Sequence, residues 1–209
     1  MTAPRGLFVA FEGGEGVGKS TQITRAAAWL RATGREVLPT REPGGTPLGE
    51  ELRRLVLDPD SHHVTPRAEA LLYAADRAHH VDTVIRPALE AGTVVLTDRY
   101  IDSTLAYQGA GRGLSVTEAR VITAWATDGL LPDLTVLLDL DPVVGLRRAG
   151  ARSSLDRLEA ASPAFHQAVR DGFLALAQEA PDRYLVIDAQ LDADVIAAHV
   201  KDALAARLP

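Results

Sequence analysis

The stretch Phe11 to Thr21, "FEGGEGVGKST", decides the fold class of this 209-residue chain. Its core, Gly13-x4-Gly18-Lys19-Ser20, matches the P-loop pattern in full, and it lies between an apolar run and a helical pattern. Glycines let backbone N–H groups converge on phosphate oxygens, and the start of the following helix adds a favourable dipole. The stretch therefore predicts a phosphate-binding loop, although Glu15 places a carboxylate in its middle.

The residue types of this loop predict which residue binds phosphate and which binds a metal ion. Lys19 is expected to bind the β- and γ-phosphates of a nucleoside triphosphate, and the Ser20 hydroxyl is expected to ligate Mg²⁺. The alternative, a chance glycine-rich turn, is disfavoured by the full match in the expected context. The loop residues assigned to the nucleotide are Gly13, Gly14, Glu15, Gly16, Val17, Gly18, Lys19, Ser20 and Thr21.

Apolar runs alternate with helical patterns along the chain. The runs at residues 7–11, 36–40, 94–98, 134–140 and 184–188 predict strands, and several are apolar throughout, as strands buried on both faces are. Helices are predicted over about residues 19–31, 66–90, 115–127, 141–148, 163–178 and 193–208, with Asp141-Pro142 and Ser162-Pro163 as helix starts. The alternation predicts one α/β domain over residues 1–209, with a parallel sheet and helices on both faces.

Composition limits the classes of function. Lys and Arg total 22 against 28 Asp and Glu, a net charge of −6, which argues against nucleic-acid binding. The absence of cysteine excludes disulfides, zinc–thiolate sites and thiol nucleophiles. No apolar stretch approaches the ~20 residues of a membrane span, and the first apolar run is too short for a signal peptide. We therefore expect a cytoplasmic protein without membrane or nucleic-acid partners.

Further candidate residues follow the other strands. Asp98, in "VVLTDRY", ends a strand where ligands of α/β sheets bind, so it is expected near the metal. Arg99 follows it and could hold a second phosphate, or form only a structural ion pair. In "YAADR", Tyr73 and Arg77 share one helix face, where they could stack on a base and bind its carbonyl or a phosphate. The alternative is a core tyrosine with a surface arginine.

Two more segments complete the pattern. "TREPGGTPLGE", residues 40–50, brings Arg41 and Glu42 to the same edge of the sheet, although Pro-Gly-Gly could simply form a turn. "STLAYQGAGRG", residues 103–113, supplies hydroxyls, Tyr107 and Gln108, followed by glycines that predict a flexible run. The pairs His62-His63 and His79-His80 lack metal-ligand spacing and are expected at a surface or interface.

The motifs "FEGGEGVGKST", "TREPGGT", "YAADR", "DRY", "AYQGAGRG" and "LDLDP", in this order and spacing, resemble those of thymidylate kinases. The resemblance covers about residues 7–204, and "REPGGT" with "DRY…YQGxGRG" is much more specific than the P-loop. It implies transfer of the γ-phosphoryl group of ATP to dTMP, giving dTDP, with Mg²⁺. It also implies a P-loop nucleoside monophosphate kinase-like fold with five parallel strands, and a homodimer.

The resemblance also implies individual roles. Tyr73, where relatives commonly carry phenylalanine, would stack on thymine, while Arg77 and Thr104 would meet the base edge. Arg99 would hold the dTMP phosphate with Arg41 nearby, and Tyr107 would pack against the deoxyribose. The full implied dTMP set is Glu15, Arg41, Glu42, Tyr73, Arg77, Arg99, Ser103, Thr104, Tyr107 and Gln108.

The family resemblance also offers an explanation for Glu15 and for the lid. Glu15 matches an acidic position that faces the acceptor sugar. Gly16 lacks the arginine that one branch carries there, so a mobile lid at about residues 147–157 is expected to supply that charge. Within it, Arg152 is the first candidate and Arg148 the second, whereas Arg147 and Arg157 could be solvated helix-end residues. The implied catalytic set is Lys19, Arg152, Arg148, Arg99 and Glu15.

Two other functions stay open from the sequence. A kinase for another nucleoside monophosphate would share the P-loop but not the motifs expected to bind dTMP. A P-loop NTPase without a small acceptor would need neither "REPGGT" nor "YAADR".

Overall fold

The computed structural model of the protein describes residues 5–151 and 156–208. These residues form one five-stranded sheet, in which every neighbouring pair of strands is parallel and the order is β2-β3-β1-β4-β5. The predicted α/β fold with a five-stranded parallel sheet is confirmed. The strands are β1 (Phe8–Glu12), β2 (Val37–Arg41), β3 (Val94–Asp98), β4 (Leu134–Asp139) and β5 (Tyr184–Asp188).

The helices lie on both faces of the sheet. They are α1 (Lys19–Ala32), α2 (Pro47–Leu57), α3 (Pro66–His80), α4 (Arg86–Glu90), α5 (Ile101–Thr104), α6 (Val116–Thr127), α7 (Pro142–Gly150), α8 (Pro163–Glu179) and α9 (Ala193–Ala205). A π-helical turn, Val81–Ile85, joins α3 to α4, so the predicted long helix is one continuous helical run. Among the described residues, no helix is long and apolar enough to cross a membrane.

The core explains the continuous apolar runs. All five residues of β1 are buried, because β1 lies at the centre of the sheet between β3 and β4. Leu30 of α1 and Val200 of α9 belong to one core cluster with alternate β1 residues, whereas Phe173 of α8 belongs to a second cluster. Pro39 is tolerated in β2 because this strand lies at the edge of the sheet.

Side-chain caps fix several helix starts. Asp141 and Ser162 accept hydrogen bonds from backbone N–H groups of α7 and α8, with proline next to each, as predicted. Thr46 caps α2 in the same way, and Pro47 follows it. The sequence analysis missed α2 because the preceding Pro-Gly-Gly indicated a turn, although Thr-Pro carries the same start signal.

The glycine run after Ser103 is helical, so the prediction of a flexible run is wrong. Residues Leu105–Gly111 form a π-helical turn that continues α5 and packs against α8. A Cβ on Gly111 would lie 2.6 Å from the Phe165 ring. Glycine at this position therefore allows close packing of two helical segments.

Candidate active site

A cavity of about 350 Å³ contains most of the residues predicted from sequence. It lies where the first helical turns meet the carboxyl ends of β1, β2 and β3. The predicted residues that line it are Glu15, Gly16, Val17, Gly18, Lys19, Ser20, Thr21, Arg41, Glu42, Tyr73, Arg77, Asp98, Arg99, Ser103, Thr104, Tyr107 and Gln108. Gly13 and Gly14 line a smaller neighbouring cavity, Arg148 is not part of either lining, and Arg152 lies outside the described residues.

The P-loop backbone depends on glycine. Gly13, Gly16 and Gly18 all have positive φ, at 130°, 65° and 95°. The Lys19 ammonium donates to the carbonyl oxygens of Gly13 and Gly14, at 3.2 and 2.9 Å. Burial lowers the pKa of this ammonium, and neighbouring carboxylates oppose the shift. The carbonyl groups of the loop thus bind the ammonium of Lys19, the first residue of the helix that follows it.

Ser20 and Asp98 place oxygen atoms together beside the loop. The Ser20 hydroxyl donates to Asp98 Oδ2 at 3.2 Å, joining the first turn of α1 to the end of β3. Hydroxyl and carboxylate oxygens suit Mg²⁺, which binds through one or two protein ligands plus phosphates and water. The described residues contain no cluster of three or more His, Cys, Asp or Glu side chains able to hold a metal. This sparse oxygen set fits a nucleotide-bound Mg²⁺.

The Glu15 carboxylate turns toward the far wall of the cavity. It accepts from the Tyr107 hydroxyl at 2.5 Å and from the Arg99 guanidinium at 2.7 Å. Burial acts to raise the pKa of this carboxyl group, but Arg99, Lys19 and the Tyr107 hydroxyl together lower it to about 2. Glu15 is therefore ionised at neutral pH, and its contacts lie with the Tyr107 and Arg99 wall.

Arg99 joins the two halves of the cavity. Its guanidinium also donates to the Gly13 carbonyl at 3.1 Å and to the Ser103 hydroxyl at 3.3 Å, and it lies 4.8 Å from the Tyr107 ring centroid. Its backbone is left-handed, with φ of 69°, which is uncommon outside glycine. A strained residue held by contacts on both sides is typical of a functional position.

Glu12, which the sequence analysis missed, binds the backbone turn that follows Arg99. It is buried, and it accepts from the backbone N–H groups of Tyr100 and Ser103 and from the Ser103 hydroxyl, at 2.8, 3.2 and 2.6 Å. Burial and the nearby Asp102 charge raise the pKa of its carboxyl group to about 7. The sequence does contain a signal for Glu12, because it is the charged last residue of an otherwise apolar strand.

Arg77 is buried, which excludes the alternative of a surface arginine. Its guanidinium donates to Glu42 Oε2 at 2.7 Å, to the Thr104 hydroxyl at 2.9 Å and to the Tyr100 carbonyl at 3.0 Å. Three hydrogen bonds donated by one planar group fix its orientation at the cavity wall. Charge pairing with Glu42 keeps the pKa of this buried arginine above its usual value despite desolvation.

The expectation that the histidine pairs lie at a surface or interface is wrong for His80, which lies inside the chain's own core. It is fully buried, with Nδ1 2.9 Å from Glu42 Oε1 and Nε2 2.7 Å from the Thr40 hydroxyl. His80 follows Arg77 by three residues, so both side chains share one face of α3 and meet the same carboxylate. Both Glu42 oxygens are thus engaged by protein groups.

Aromatic rings form another part of the wall. Tyr73 is buried and borders the cavity, while the Tyr107 ring packs edge-on against Phe165 and Phe173, with centroids 6.0 and 6.1 Å apart. These rings present flat apolar surface beside the hydrogen-bonding groups. A planar heterocycle with polar edges suits such a wall.

Two arginine side chains lie at the mouth of the cavity. Arg41 is about half exposed and pairs with Glu50 at 2.8 Å. Arg53 of α2 also lines the cavity and donates to the Pro43 carbonyl at 3.0 Å. The sequence analysis missed Arg53 because it did not predict α2.

Comparison with known proteins assigns the family. A family model described as thymidylate kinase matches residues 11–200. The chain belongs to the thymidylate kinase family. Relatives named thymidylate kinase include those of Clavibacter sepedonicus, 57% identical over 197 residues (94% of this chain and 93% of the relative), and Leifsonia xyli subsp. xyli, 57% over 204 residues (97% and 96%). That of Deinococcus radiodurans is 56% identical over 203 residues, covering 97% of this chain and 98% of the relative.

Arg148 and Arg157, two arginines of the expected lid in this thymidylate kinase family member, form hydrogen bonds with different parts of the chain. Arg148 donates to the Ala189 carbonyl, after β5, at 3.1 Å. Arg157 donates to the Val56 carbonyl at 2.9 Å and to Glu69 at 2.5 Å, and its side chain is only 9% exposed. This excludes the alternative that Arg157 is a solvated helix-end residue.

Proposed function

We propose that this chain transfers the γ-phosphoryl group of ATP to dTMP, giving dTDP and ADP. The proposal rests on its membership of the thymidylate kinase family and on one geometric observation. A single guanidinium, that of Arg99, contacts both the P-loop, at Gly13 and Glu15, and the Ser103 turn across the cavity. Donor and acceptor sites that share one cation are suited to transfer between two phosphates.

On the donor side, we assign ATP to the P-loop, residues 13–21. Backbone N–H groups and the start of α1 suit its phosphates, and Lys19 adds a buried charge. Ser20 and Asp98 would hold Mg²⁺, which neutralises phosphate charge and orients the oxygens when bound. Among the described residues, the Lys19 ammonium donates hydrogen bonds only to carbonyl oxygens, for which charged phosphate oxygens are stronger replacements.

On the acceptor side, we assign the dTMP phosphate to Arg99, with Arg41 at the mouth. The base would stack on Tyr73, and its polar edge would meet Arg77, Thr104 and Gln108, all of which line the cavity. Glu42 would act by holding Arg77, because both of its oxygens are occupied.

Glu15 and Tyr107 would face the sugar. Their short hydrogen bond fills the space between the P-loop and the aromatic wall, which favours deoxyribose over a ribose carrying a further hydroxyl. Ser103 borders the same part of the cavity and would complete the sugar and phosphate contacts.

The proposed reaction needs no strong general base. The second pKa of a phosphate monoester is about 6, so the acceptor oxygen is largely anionic at neutral pH. Catalysis then consists of aligning two anions and neutralising the charge that moves between them. Lys19 and Arg99 supply fixed positive charge for this.

We propose that further charge comes from the expected lid, about residues 147–157, with Arg152 first and Arg148 second. Support comes from Gly16, where a Cβ would lie 2.1 Å from the Gly145 carbonyl oxygen. The P-loop therefore has no room for an arginine at this position while α7 packs against it. We also propose that residues 1–209 form a single domain, in which α7, at the start of the expected lid, packs directly on the P-loop.

We also propose a homodimer that uses the face formed by α3 and α6. These helices pack side by side, and they expose Leu71 (52%), Val121 (65%) and Trp125 (83%). Large exposed apolar side chains on neighbouring helices mark an interaction surface. A cytoplasmic location remains a prediction from the sequence.

The substrate assignment is tested by an acceptor panel. ADP formation is measured with ATP, Mg²⁺ and dTMP, dUMP, AMP, GMP or CMP at equal concentrations. We expect the highest kcat/KM for dTMP, a lower value for dUMP and poor use of the others. Equal or better use of AMP or CMP would assign the chain to another monophosphate.

A further inference from the structure

A buried carboxylate outside the predicted site, that of Glu69 in α3, accepts hydrogen bonds from two segments, one with Gln108 and Arg112 and the other with Arg157. Gln108 Nε2 donates to its Oε1 at 2.8 Å, and Arg157 donates to its Oε2 at 2.5 Å. Arg112 contacts both oxygens, at 3.4 and 3.3 Å. Glu69 is completely buried and does not line the cavity, and among the described residues these three side chains donate its hydrogen bonds.

The first consequence concerns the Gln108 amide. An ionised carboxylate only accepts hydrogen bonds, so the NH₂ end of the amide must face Glu69 and its carbonyl oxygen must point elsewhere. Gln108 lines the cavity, and no other described residue donates to that oxygen. Glu69 thereby makes the cavity wall at Gln108 an acceptor of hydrogen bonds.

The second consequence concerns the turn at residues 156–159. Arg157 is held by Glu69, by the Val56 carbonyl through its side chain and by the Leu57 carbonyl through its backbone N–H, at 3.2 Å. Asp156 and Glu159 of the same turn line the cavity. The Glu69 carboxylate therefore fixes both the turn at residues 156–159 and the Gln108 amide, which lie at different parts of the cavity wall.

We infer that Glu69 is a positioning residue of the acceptor site, which orients the Gln108 amide toward a base N–H and anchors the 156–159 turn through Arg157. The inference rests on the proposed function. Position 3 of thymine carries a hydrogen, whereas the same position of cytosine carries only a lone pair. A fixed carbonyl oxygen at Gln108 accepts from the first and repels the second.

Glu69→Gln is the direct test, because an amide at this position can either donate or accept and no longer imposes one orientation on Gln108. Kinetics are measured with dTMP and dCMP as acceptors and ATP as donor. We expect the KM for dTMP to rise about tenfold and the preference for dTMP over dCMP to fall by about the same factor, the size typical of a lost charge-assisted hydrogen bond. The KM for ATP should stay unchanged.

Three further variants separate positioning from general stability. Arg157→Met removes the contact to the turn but leaves Gln108 paired, so it should raise the KM for dTMP without changing the preference over dCMP. Asp133→Asn removes a carboxylate that accepts from Arg5 and from the Phe8 backbone N–H, far from the cavity, and should lower only the Tm. Glu69→Asp keeps the charge but is too short to hold all three donors, so it should act in the same direction as Glu69→Gln.

The outcomes are distinct. Wild-type KM and preference in Glu69→Gln overturn the inference while leaving the proposed function intact. If Glu69→Gln does not fold, the same result in Glu69→Asp overturns it equally. A wild-type protein that does not phosphorylate dTMP refutes the proposed function, and the inference with it.

Discussion

At the scale of single residues, we propose that Glu15 serves the acceptor half of the site although it belongs to the P-loop. Its partners, Arg99 and Tyr107, both lie on the opposite wall, and their contacts lower its pKa to about 2. A carboxylate in a phosphate loop is tolerated when its charge is matched by a neighbouring guanidinium. The phosphates of the nucleotide would then meet the backbone N–H groups of the loop and not this carboxylate.

Glu15→Gln should therefore impair use of dTMP far more than binding of ATP. Loss of a hydrogen bond between charged groups costs about 1.5–3 kcal/mol, roughly a ten- to hundredfold loss in kcat/KM for dTMP. ATP affinity, measured by titration, should hold or tighten because a nearby negative charge is gone. Glu179→Gln, which removes an exposed carboxylate paired with Arg120, is the control. Weaker ATP binding with normal dTMP kinetics would assign Glu15 to the nucleotide instead.

Glu12 predicts a pH dependence of stability. Burial raises its pKa to about 7, so between its usual value of 4.5 and about 7 the folded state holds a proton that the unfolded state has lost. Its contribution to stability is thus fully present below pH 4.5, is lost as pH rises to 7, and is constant above that. The difference in free energy of unfolding between wild type and Glu12→Gln should fall by up to about 1.4 kcal/mol per pH unit in this window. A flat difference in urea titrations from pH 5 to 8 would contradict it.

Sequence motifs identified most of the residues that line the cavity, but not Glu12 and His80, which hold other residues in place. Lys19, Asp98 and Arg99 belong to patterns whose spacing is set by a strand and the turn after it. Glu12 and His80 act through partners distant in the sequence, which no local pattern reveals. His80 was predicted at a surface or interface because its pair with His79 lacks metal-ligand spacing, yet its ring contacts Glu42 in the core.

At the scale of elements, α7 rests on the P-loop through two facing glycines. A Cβ on Gly145 would lie 2.3 Å from the Glu15 carbonyl oxygen, and one on Gly16 would lie 2.1 Å from the Gly145 carbonyl oxygen. Backbone therefore packs directly on backbone, and the position of α7 is coupled to the shape of the loop.

Gly145→Ala should displace α7 or deform the loop. Overpacking of this kind costs about 1–3 kcal/mol, so we expect a lower Tm and weaker ATP binding together. Val143→Ala, on the exposed side of the same helix, should change neither strongly. Thermal unfolding with and without ATP measures both effects, and full ATP affinity in Gly145→Ala would show that the contact does not shape the loop.

Helices and strands were predicted correctly where one property of the sequence, such as a continuous apolar run, determines the element. β1, β3 and β4 are buried on both faces, so their apolar runs stood out. The α2 helix and the turn Leu105–Gly111 were missed because glycine and proline usually break helices. Here those residues lie at a helix start or at a close contact with α8, which only the tertiary structure shows.

At the scale of the whole molecule, the strand order brings distant motifs to one edge of the sheet. β1 pairs with both β3 and β4, and β3 pairs with β2, so the P-loop and the segments after β2 and β3 converge. The α/β class followed from the alternation of elements and the count of five strands from the family resemblance, but the strand order came only from the structure.

The proposed dimer face gives a prediction at this scale. Trp125→Glu places a charge on the most exposed large apolar side chain of α6 and should shift a dimer toward monomer. Sedimentation over a range of protein concentrations measures this. Val143→Glu, on the exposed side of α7, is a matched control and should leave the mass unchanged. A wild-type protein that sediments as a monomer would refute the dimer.

The most direct test of the central claim follows the phosphoryl group itself. The protein is incubated with γ-labelled ATP, Mg²⁺ and dTMP, and the products are separated by anion-exchange chromatography. The account predicts that the label appears in dTDP in equal amount to the ADP formed, and that Lys19→Ala abolishes both. Label released as inorganic phosphate at the same rate with or without dTMP would contradict it, since the chain would then be an NTPase without a small acceptor.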